Sequence, residues 1–141
     1  MAVKFALSLN GPNPYQHGSA AFRESGLYLK GSNGCTVFLI HGLTGAPTEM
    51  NFITKYLHDR GQYTVMCPRL AHHGEPLAVL KKTTWRELYR GVRNDFNALR
   101  HQSEEIIFAA GLSVGALLSL LLAEEFPERV SAVSCLSPTL F

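Results

Sequence analysis

The sequence predicts an α/β protein with a parallel sheet. From residue 26 onward, apolar runs with strand character alternate with amphipathic runs of helical period. Strands that are joined through helices form right-handed crossovers, and such crossovers make neighbouring strands parallel. Two of the apolar runs, residues 36–40 and 107–112, pass directly into glycine-containing turns, as buried strands do where they meet a loop or a helix.

The first elements follow in chain order. Strands are predicted at residues 26–30 and 35–40, separated by the turn Gly-Ser-Asn-Gly at residues 31–34. A helix is predicted from about Pro47, because the fixed φ of proline suits the first helical position, to about Arg60, with Gly61 as a left-handed cap. The apolar face expected for this helix comprises Phe52, Ile53, Tyr56 and Leu57. Residues 63–67 form the next predicted strand.

The second long helix has a clear N-terminal signal. Thr84 and Glu87 have the spacing of a capping box, in which each residue satisfies a free backbone donor of the other. The apolar stripe that follows comprises Trp85, Leu88, Val92, Phe96 and Leu99. A strand after Glu105, a helix over residues 114–126 and a strand over residues 130–136 complete the pattern. Residues 1–25 carry turn signals and are interpreted as a leader segment, and residues 26–141 as the α/β core.

Residues 111–115 read Gly-Leu-Ser-Val-Gly at the junction of a predicted strand and a predicted helix. A turn of this pattern is a nucleophile elbow, which exposes the serine at the tip of a sharp bend, and Gly111 and Gly115 avoid Cβ atoms that would crowd it. Ser113 is therefore the candidate nucleophile. The Val114 N–H, at the helix N-terminus, is a candidate donor to an oxyanion. A serine in the tight turn of a nucleotide-binding fold is the alternative, but no Gly-x-Gly-x-x-Gly or Gly-Lys-Ser/Thr sequence accompanies it.

Two further segments extend this pattern: residues 41–45, His-Gly-Leu-Thr-Gly, and residues 68–74, Pro-Arg-Leu-Ala-His-His-Gly. With the 111–115 turn, they make the chain resemble the α/β-hydrolase superfamily, in its carboxylesterase and monoacylglycerol-lipase-like branch. The resemblance implies a three-layer αβα fold and hydrolysis of carboxylic esters through an acyl-enzyme, with a small-molecule ester as substrate and no cofactor. Leu43 N–H would be the second oxyanion donor. His41 and Gly42 would support the loop, with His41 as a brace rather than a base.

The general base is missing from the predicted site. In this fold the acid and the histidine follow the serine along the chain, yet no Asp and no His occurs after Ser113. The only carboxylates there are at the far end of the following helix: Glu124, Glu125 and Glu128. We therefore expect the chain to be the N-terminal half of a longer hydrolase, incomplete and inactive by itself. The alternatives are a truncated fragment or a catalytically inactive hydrolase-like domain that binds a ligand or partner.

The other ionisable residues before Ser113 are poor candidates for catalysis. Surface or helix-end positions are expected for His17, His58 and His101. Asp59 and Asp95 precede the serine and are expected on helices, which argues against a role as triad acid. His72 and His73 are adjacent, and adjacent residues rarely converge on one metal ion, so no metal site is predicted. His72 also stands where the family commonly has glycine, which makes the conformation of this loop an open question.

Composition excludes several classes of protein. A net charge of +2 without basic runs does not indicate nucleic-acid binding. An odd number of cysteines (Cys35, Cys67 and Cys135) beside apolar strands favours reduced core thiols, and with no signal peptide evident the predicted location is cytoplasmic. If the chain ends at Phe141, the last strand is an exposed edge and self-association is expected.

A membrane-spanning helix is a rival interpretation of residues 106–123. This uncharged run reaches the length needed to cross a bilayer, and its two glycines form a Gly-x-x-x-Gly pair. Glutamates flank the run, however, in place of the aromatic or basic residues that anchor a span. Strand-forming residues come first and helix-forming residues second, which favours a strand followed by a helix.

Overall fold

The computed structural model describes residues 26–138, so the predicted leader segment, with His17, lies outside the described residues. Five strands form one sheet in the order β1–β3–β2–β4–β5. The strands are β1 (Leu27–Leu29), β2 (Cys35–Ile40), β3 (Thr64–Cys67), β4 (Ile106–Leu112) and β5 (Val130–Leu136). The helices are α1 (Asn51–Gly61), α2 (Leu77–Leu80), α3 (Trp85–Gln102) and α4 (Val114–Glu125), and a turn of 3-10 helix at Pro47–Met50 leads into α1.

The predicted parallel arrangement is confirmed for β2, β3, β4 and β5, while β1 pairs antiparallel with β3. Only a short turn joins β1 to β2, and a parallel connection needs a crossover of a dozen or more residues. The chain therefore reverses direction after β1. The sequence pattern did not reveal this reversal, because a strand's period carries no information about its direction.

Alternate residues of β2 face two different layers. Phe38 and Ile40 pack in the cluster formed with α3 and α4, whereas Val37 and Leu39 pack in the cluster on the α1 side. The sheet is thus covered by helices on both faces, which is the expected three-layer arrangement.

The membrane-spanning interpretation of residues 106–123 is wrong. The stretch divides into β4 and the first part of α4, with Ser113 between them. In the part of the chain that the structure describes, no helix has the length and apolar character needed to cross a bilayer.

The prediction for α1 was wrong in two respects. Gln62 is the left-handed cap residue, with φ of 54°, whereas Gly61 is the last helical residue and leaves room for the Tyr63 ring, which a Cβ at Gly61 would approach to 2.5 Å. Phe52 and Tyr56 do not face the sheet: they are 83% and 57% exposed and stack on each other. The inner face of α1 is therefore narrower than the apolar spacing suggested.

The capping box of α3 is confirmed, since Thr84 N–H donates to Glu87 and Glu87 N–H donates to Thr84. Three other details differ from the sequence pattern. Trp85 was expected on the apolar stripe of α3, but it is 52% exposed beneath the Arg86 guanidinium. The short helix α2 was not predicted. Cys135 is exposed rather than in the core, because β5 lies at the edge of the described sheet.

Glu105 links the ends of β1, β2 and β3 at the end of the sheet opposite Ser113. Its carboxylate accepts hydrogen bonds from Lys30 Nζ and Thr36 Oγ1, and Thr64 Oγ1 lies 3.5 Å away. Partial burial, the largest single influence, raises the pKa of Glu105, but the hydrogen bonds from Lys30 and Thr36 outweigh it and leave the pKa below its ordinary value. Its contribution to stability is therefore complete at neutral pH and is lost as the pH falls through the lowered pKa.

We expect Glu105→Ala to lower the free energy of unfolding by about 2 kcal/mol, because hydroxyl and ammonium donors at this edge lose their charged acceptor. Urea unfolding at pH 7 measures the change. Glu104→Ala, at the exposed neighbouring position, is the matched control and should change stability by less than about 0.5 kcal/mol. Equal effects of the two substitutions would contradict the role assigned to Glu105.

Self-association remains a prediction, and β5 gives it a structural basis. Within residues 26–138, β5 pairs with β4 only, and several of its side chains are exposed. When residues 1–141 are expressed by themselves, we expect dimers or larger species by light scattering, and fewer of them for Ala132→Lys, since a charge on an edge strand opposes pairing. A cooperatively melting monomer would contradict this expectation.

Candidate active site

Ser113 occupies the corner between β4 and α4 in an unusual backbone conformation. Its φ is 56° and its ψ is −118°, on the positive-φ side that residues with a Cβ rarely adopt. Hydrogen bonds hold the corner on both sides: Ser113 N–H donates to Leu136 O at 2.9 Å, and Ala116 N–H donates to Ser113 O at 3.0 Å. Such strain persists only where the surroundings fix the backbone, and it is common at catalytic positions.

The two glycines of the turn are required by close packing. A Cβ on Gly111 would lie 2.1 Å from Gly115 O, and a Cβ on Gly115 would lie 2.2 Å from Ile40 O. Helix α4 therefore approaches the ends of β4 and β2 more closely than any residue with a side chain would permit. The sequence pattern predicted that a Cβ at either position would crowd the turn, and the structure identifies the backbone atoms that such a Cβ would meet.

The loop at residues 41–45 lies beside Ser113. Ile40 at the end of β2 is in register with Gly111 of β4, so both strands end at the same edge of the sheet. A Cβ built on Gly42 would lie 3.9 Å from Ser113 Cβ. The structure thus brings together the turn and the loop that the sequence analysis had linked.

His41 is fully buried and makes hydrogen bonds through both ring nitrogens. Nδ1 lies 2.9 Å from Gly42 O, and Nε2 accepts a hydrogen bond from Leu70 N–H at 3.0 Å. The proton of the neutral ring is therefore on Nδ1. Burial is the main cause that lowers the pKa of His41 to about 4, so the ring is neutral at pH 7. With both nitrogens engaged, His41 braces the loop against the segment after β3.

Two backbone N–H groups near Ser113 have no acceptor among the residues that the structure describes. Among the hydrogen bonds of residues 26–138, neither the Leu43 N–H nor the Val114 N–H acts as a donor. Val114 is the first residue of α4, where helix geometry leaves N–H groups without an intrahelical acceptor. These are the two amides that the sequence analysis selected as oxyanion donors.

Sequence reasoning missed two side chains of this site, Glu49 and His73. Glu49 Oε1 accepts a hydrogen bond from Gly42 N–H at 2.7 Å. His73, for which the sequence favours neither a catalytic nor a metal-binding role, is buried, its Nε2 contacts Leu43 O, and its ring lies 5.0 Å from that of His41. No pattern in the sequence signals these contacts, because both side chains reach the loop from segments that fold against it.

The structure shows the backbone conformation at His72, where the family commonly has glycine. Its φ is 62°, so it adopts the left-handed conformation that glycine adopts most readily, and Nδ1 lies 3.1 Å from Glu75 Oε1 at the surface. The side chains of His72 and His73 have different partners. No group of three or more potential metal ligands occurs within the described range.

The remaining candidates lie on helices away from Ser113. His58 contacts Asp59 at the end of α1, and His101 is exposed at the end of α3. Asp95 lies midway along α3, where burial raises its pKa to about 7. Glu125, at the C-terminal end of α4, accepts hydrogen bonds from Tyr89 and Arg93.

The chain is similar in sequence to bacterial lipolytic enzymes. It is 36% identical over 92 residues to a thermostable monoacylglycerol lipase of Bacillus sp. strain H-257, a match that covers 65% of this chain and 36% of the lipase. It is 34% identical over 99 residues to a carboxylesterase of Bacillus subtilis strain 168, covering 70% of this chain and 40% of the esterase. The chain thus spans well under half the length of these curated relatives. No family model matches the chain.

Solved structures share the fold. A metagenome-derived lipolytic enzyme from a study of LipS and LipT superposes with a TM-score of 0.73 at 31% identity, over 83% of this chain and 46% of the enzyme. A monoacylglycerol lipase of Paleococcus ferrophilus superposes with a TM-score of 0.66 at 20% identity, over 82% of this chain and 43% of the lipase. The second likeness, at this identity, bears on the fold alone.

The low pKa of His41 makes stability depend on pH. In the unfolded chain His41 binds a proton below its ordinary pKa of 6.5, whereas in the folded chain it does so only near 4. The contribution of His41 to the free energy of unfolding is therefore complete above pH 6.5, and the free energy of unfolding falls by about 3 kcal/mol as the pH drops from 6.5 to 4. We expect His41→Asn to lose this slope in urea unfolding, whereas His101→Asn, at an exposed position, retains it. A slope unaffected by His41→Asn would contradict the assignment.

Proposed function

Because this chain belongs to the α/β-hydrolase superfamily, we propose that it carries the nucleophile and the oxyanion hole of a serine hydrolase that acts on carboxylic esters. The single observation that carries the proposal is the strained corner at Ser113, which lies beside two N–H groups that have no acceptor in the described range. The names of the curated relatives, a lipase and an esterase, support an ester as the substrate class.

The proposed reaction proceeds through an acyl-enzyme. Ser113 Oγ attacks the ester carbonyl carbon, a new C–O bond forms, and the carbonyl oxygen becomes an oxyanion that accepts hydrogen bonds from Leu43 N–H and Val114 N–H. Collapse of this intermediate breaks the bond to the alkoxy group, which leaves as the alcohol with the proton that Ser113 gave up. Water then attacks the acyl-enzyme and releases the carboxylic acid.

This reaction needs a general base, and His41 is not suited to the role. One of its ring nitrogens donates to Gly42 O and the other accepts from Leu70 N–H, so neither is available to Ser113. Among the described residues, His73 is likewise directed at carbonyl oxygens of Leu43 and Ala71. By this proposal the 141 residues supply the nucleophile and the oxyanion donors but not the acid and the histidine of the triad, and are inactive by themselves.

The same observation favours a second candidate function, a hydrolase-like domain that binds a ligand or a partner without turnover. It would use the two free N–H groups to hold a carbonyl or carboxylate oxygen. The two candidates differ in whether Ser113 becomes acylated. Cytoplasmic location and the lack of nucleic-acid binding, which were expected from composition, stay predictions under either candidate.

We expect the complete product of this gene to react with a fluorophosphonate probe at Ser113 and to hydrolyse short p-nitrophenyl esters. Ser113→Ala should abolish labelling and reduce ester hydrolysis at least about a thousandfold, because the nucleophile is lost while the oxyanion donors remain. Ser131→Ala, at an exposed position of β5, is the control and should behave as the wild type does.

Mass spectrometry of the labelled peptide identifies the modified residue. A probe adduct on another serine, with Ser113 unmodified, would refute the nucleophile assignment. Absence of any labelling and of any hydrolysis, in a protein that still binds carboxylates, would support the non-catalytic candidate.

A further inference from the structure

Three consecutive peptide groups of the loop beside Ser113 are each held by a side chain. Glu49 accepts the Gly42 N–H, His41 lies against the Gly42 carbonyl, and His73 lies against the Leu43 carbonyl. Gly45 N–H also donates to Gly42 O, at 3.2 Å. From the Gly42 nitrogen to the Leu43 oxygen, the one backbone polar group without a partner among residues 26–138 is the Leu43 N–H.

Peptide planarity links these contacts to the free N–H. In a trans peptide the carbonyl and the N–H lie in one plane and point in opposite directions. The Gly42 carbonyl and the Leu43 N–H belong to the same plane, so the bonds made by that carbonyl orient the N–H. Gly42 has no Cβ to restrict its backbone torsions, so contacts that hold the two neighbouring planes restrict this plane further. Glu49 holds the preceding plane and His73 holds the following one.

The carboxylate of Glu49 is fitted closely into the loop. A Cβ on Gly45 would lie 2.2 Å from both of its oxygens, so glycine at this position makes room for it. In the described residues, no Lys, Arg or His forms an ion pair with Glu49. Its partner is the Gly42 amide, and a hydrogen bond to an ionised acceptor is stronger than a neutral one.

His73 reaches the loop from the segment after β3. The side chain is buried, Nε2 faces Leu43 O, and Nδ1 lies 3.0 Å from Ala71 O. The tautomer that carries the proton on Nε2 donates to Leu43 O. His73 therefore connects the loop to the segment that also holds His41, through Leu70 N–H.

We propose that Glu49 and His73 are positioning residues, which hold the peptide between Gly42 and Leu43 so that the Leu43 N–H faces the site of the oxyanion. This inference rests on the proposed function, because it assigns a role within the same site. Both residues act through the backbone of the loop, and their effect is on the transition state rather than on substrate binding.

Kinetics of the complete gene product test the positioning role. Glu49→Ala and His73→Asn should each lower kcat for p-nitrophenyl esters by about 10- to 100-fold, with KM changed less than about threefold, because a misplaced donor weakens transition-state stabilisation. Glu49→Gln retains an oxygen that accepts from Gly42 N–H and should restore kcat to within about threefold of the wild type.

Glu75 and His72 provide matched controls. They pair with each other in the loop that also contains His73, and no hydrogen bond joins either side chain to the described residues of the loop at 41–45. Glu75→Ala and His72→Asn should leave kcat within about twofold of the wild type, and asparagine tolerates the positive φ at position 72. Thermal melting of each variant separates loss of fold from loss of positioning.

Amide resonances of the ¹⁵N-labelled protein supply a readout that needs no activity. We expect the Gly42 amide proton to move upfield in Glu49→Ala and to stay close to its wild-type position in Glu49→Gln. In His73→Asn we expect a shift of the Thr44 nitrogen, which shares a peptide plane with the Leu43 carbonyl. The two control variants should move neither resonance.

Each result decides a different point. Unchanged resonances in Glu49→Ala and His73→Asn would overturn the proposal, and so would shifted resonances accompanied by an unchanged kcat in an active enzyme. If the wild-type protein hydrolyses no ester and Ser113 takes up no probe, the proposed function fails, whereas the resonances still decide whether Glu49 and His73 hold the loop.

Discussion

The close approach of α4 to the ends of β2 and β4 is the constraint on which the rest of the site depends. It exists because Gly111 and Gly115 leave backbone facing backbone at distances that no Cβ permits. The approach forces the chain to turn within one residue, and Ser113 takes the strained conformation that such a turn requires. A strained residue costs on the order of 1–3 kcal/mol, which burial of the apolar face of α4 on the sheet offsets. Ser119 Oγ, which donates to Gly115 O at 2.9 Å, satisfies part of the backbone there.

Much of the fold was predictable because its determinants are local. The bounds of β2 and β5 match the sequence pattern, since each apolar run has a glycine, a proline or a charged residue within two positions of either end. The capping box of α3 needs only Thr84 and Glu87. The errors concern features set by distant residues. Phe52 shares the spacing of a core residue but lies on the outer side of α1, and Gln62 rather than Gly61 takes the left-handed conformation, where its carbonyl accepts from Ser32 N–H and Asn33 N–H.

In the candidate site, too, features set by local sequence were predictable and features set by distant residues were not. The corner at Ser113 and the glycines around it were predictable, because a strand that passes into a helix through Gly-x-Ser-x-Gly has few conformations available. The resemblance to the α/β-hydrolase superfamily implied that the loop at residues 41–45 lies beside this corner, and the parallel pairing of β2 with β4 places it there. The contacts of Glu49 and His73 were not predictable, since they depend on where a 3-10 turn and the segment after β3 fold against that loop. The nucleophilic role of Ser113 itself stays a prediction.

A carboxylate close to the proposed oxyanion site requires a physical account. Glu49 Oε1 and Ser113 Cβ lie 3.4 Å and 3.9 Å from the same point above Gly42, so at most about 7 Å separates them. At this upper limit of distance a unit charge opposes a negative charge at the position of Ser113 Cβ by about 0.6 kcal/mol in water and about 2.4 kcal/mol at an effective dielectric constant of about 20, and a shorter distance raises both figures. Glu49 is exposed, which places its effect toward the lower figure. One oriented oxyanion donor contributes about 3 kcal/mol to transition-state stabilisation. Holding the Leu43 N–H in place is therefore favourable overall when solvent screens the Glu49 charge, and the exposed position of Glu49 provides that screening.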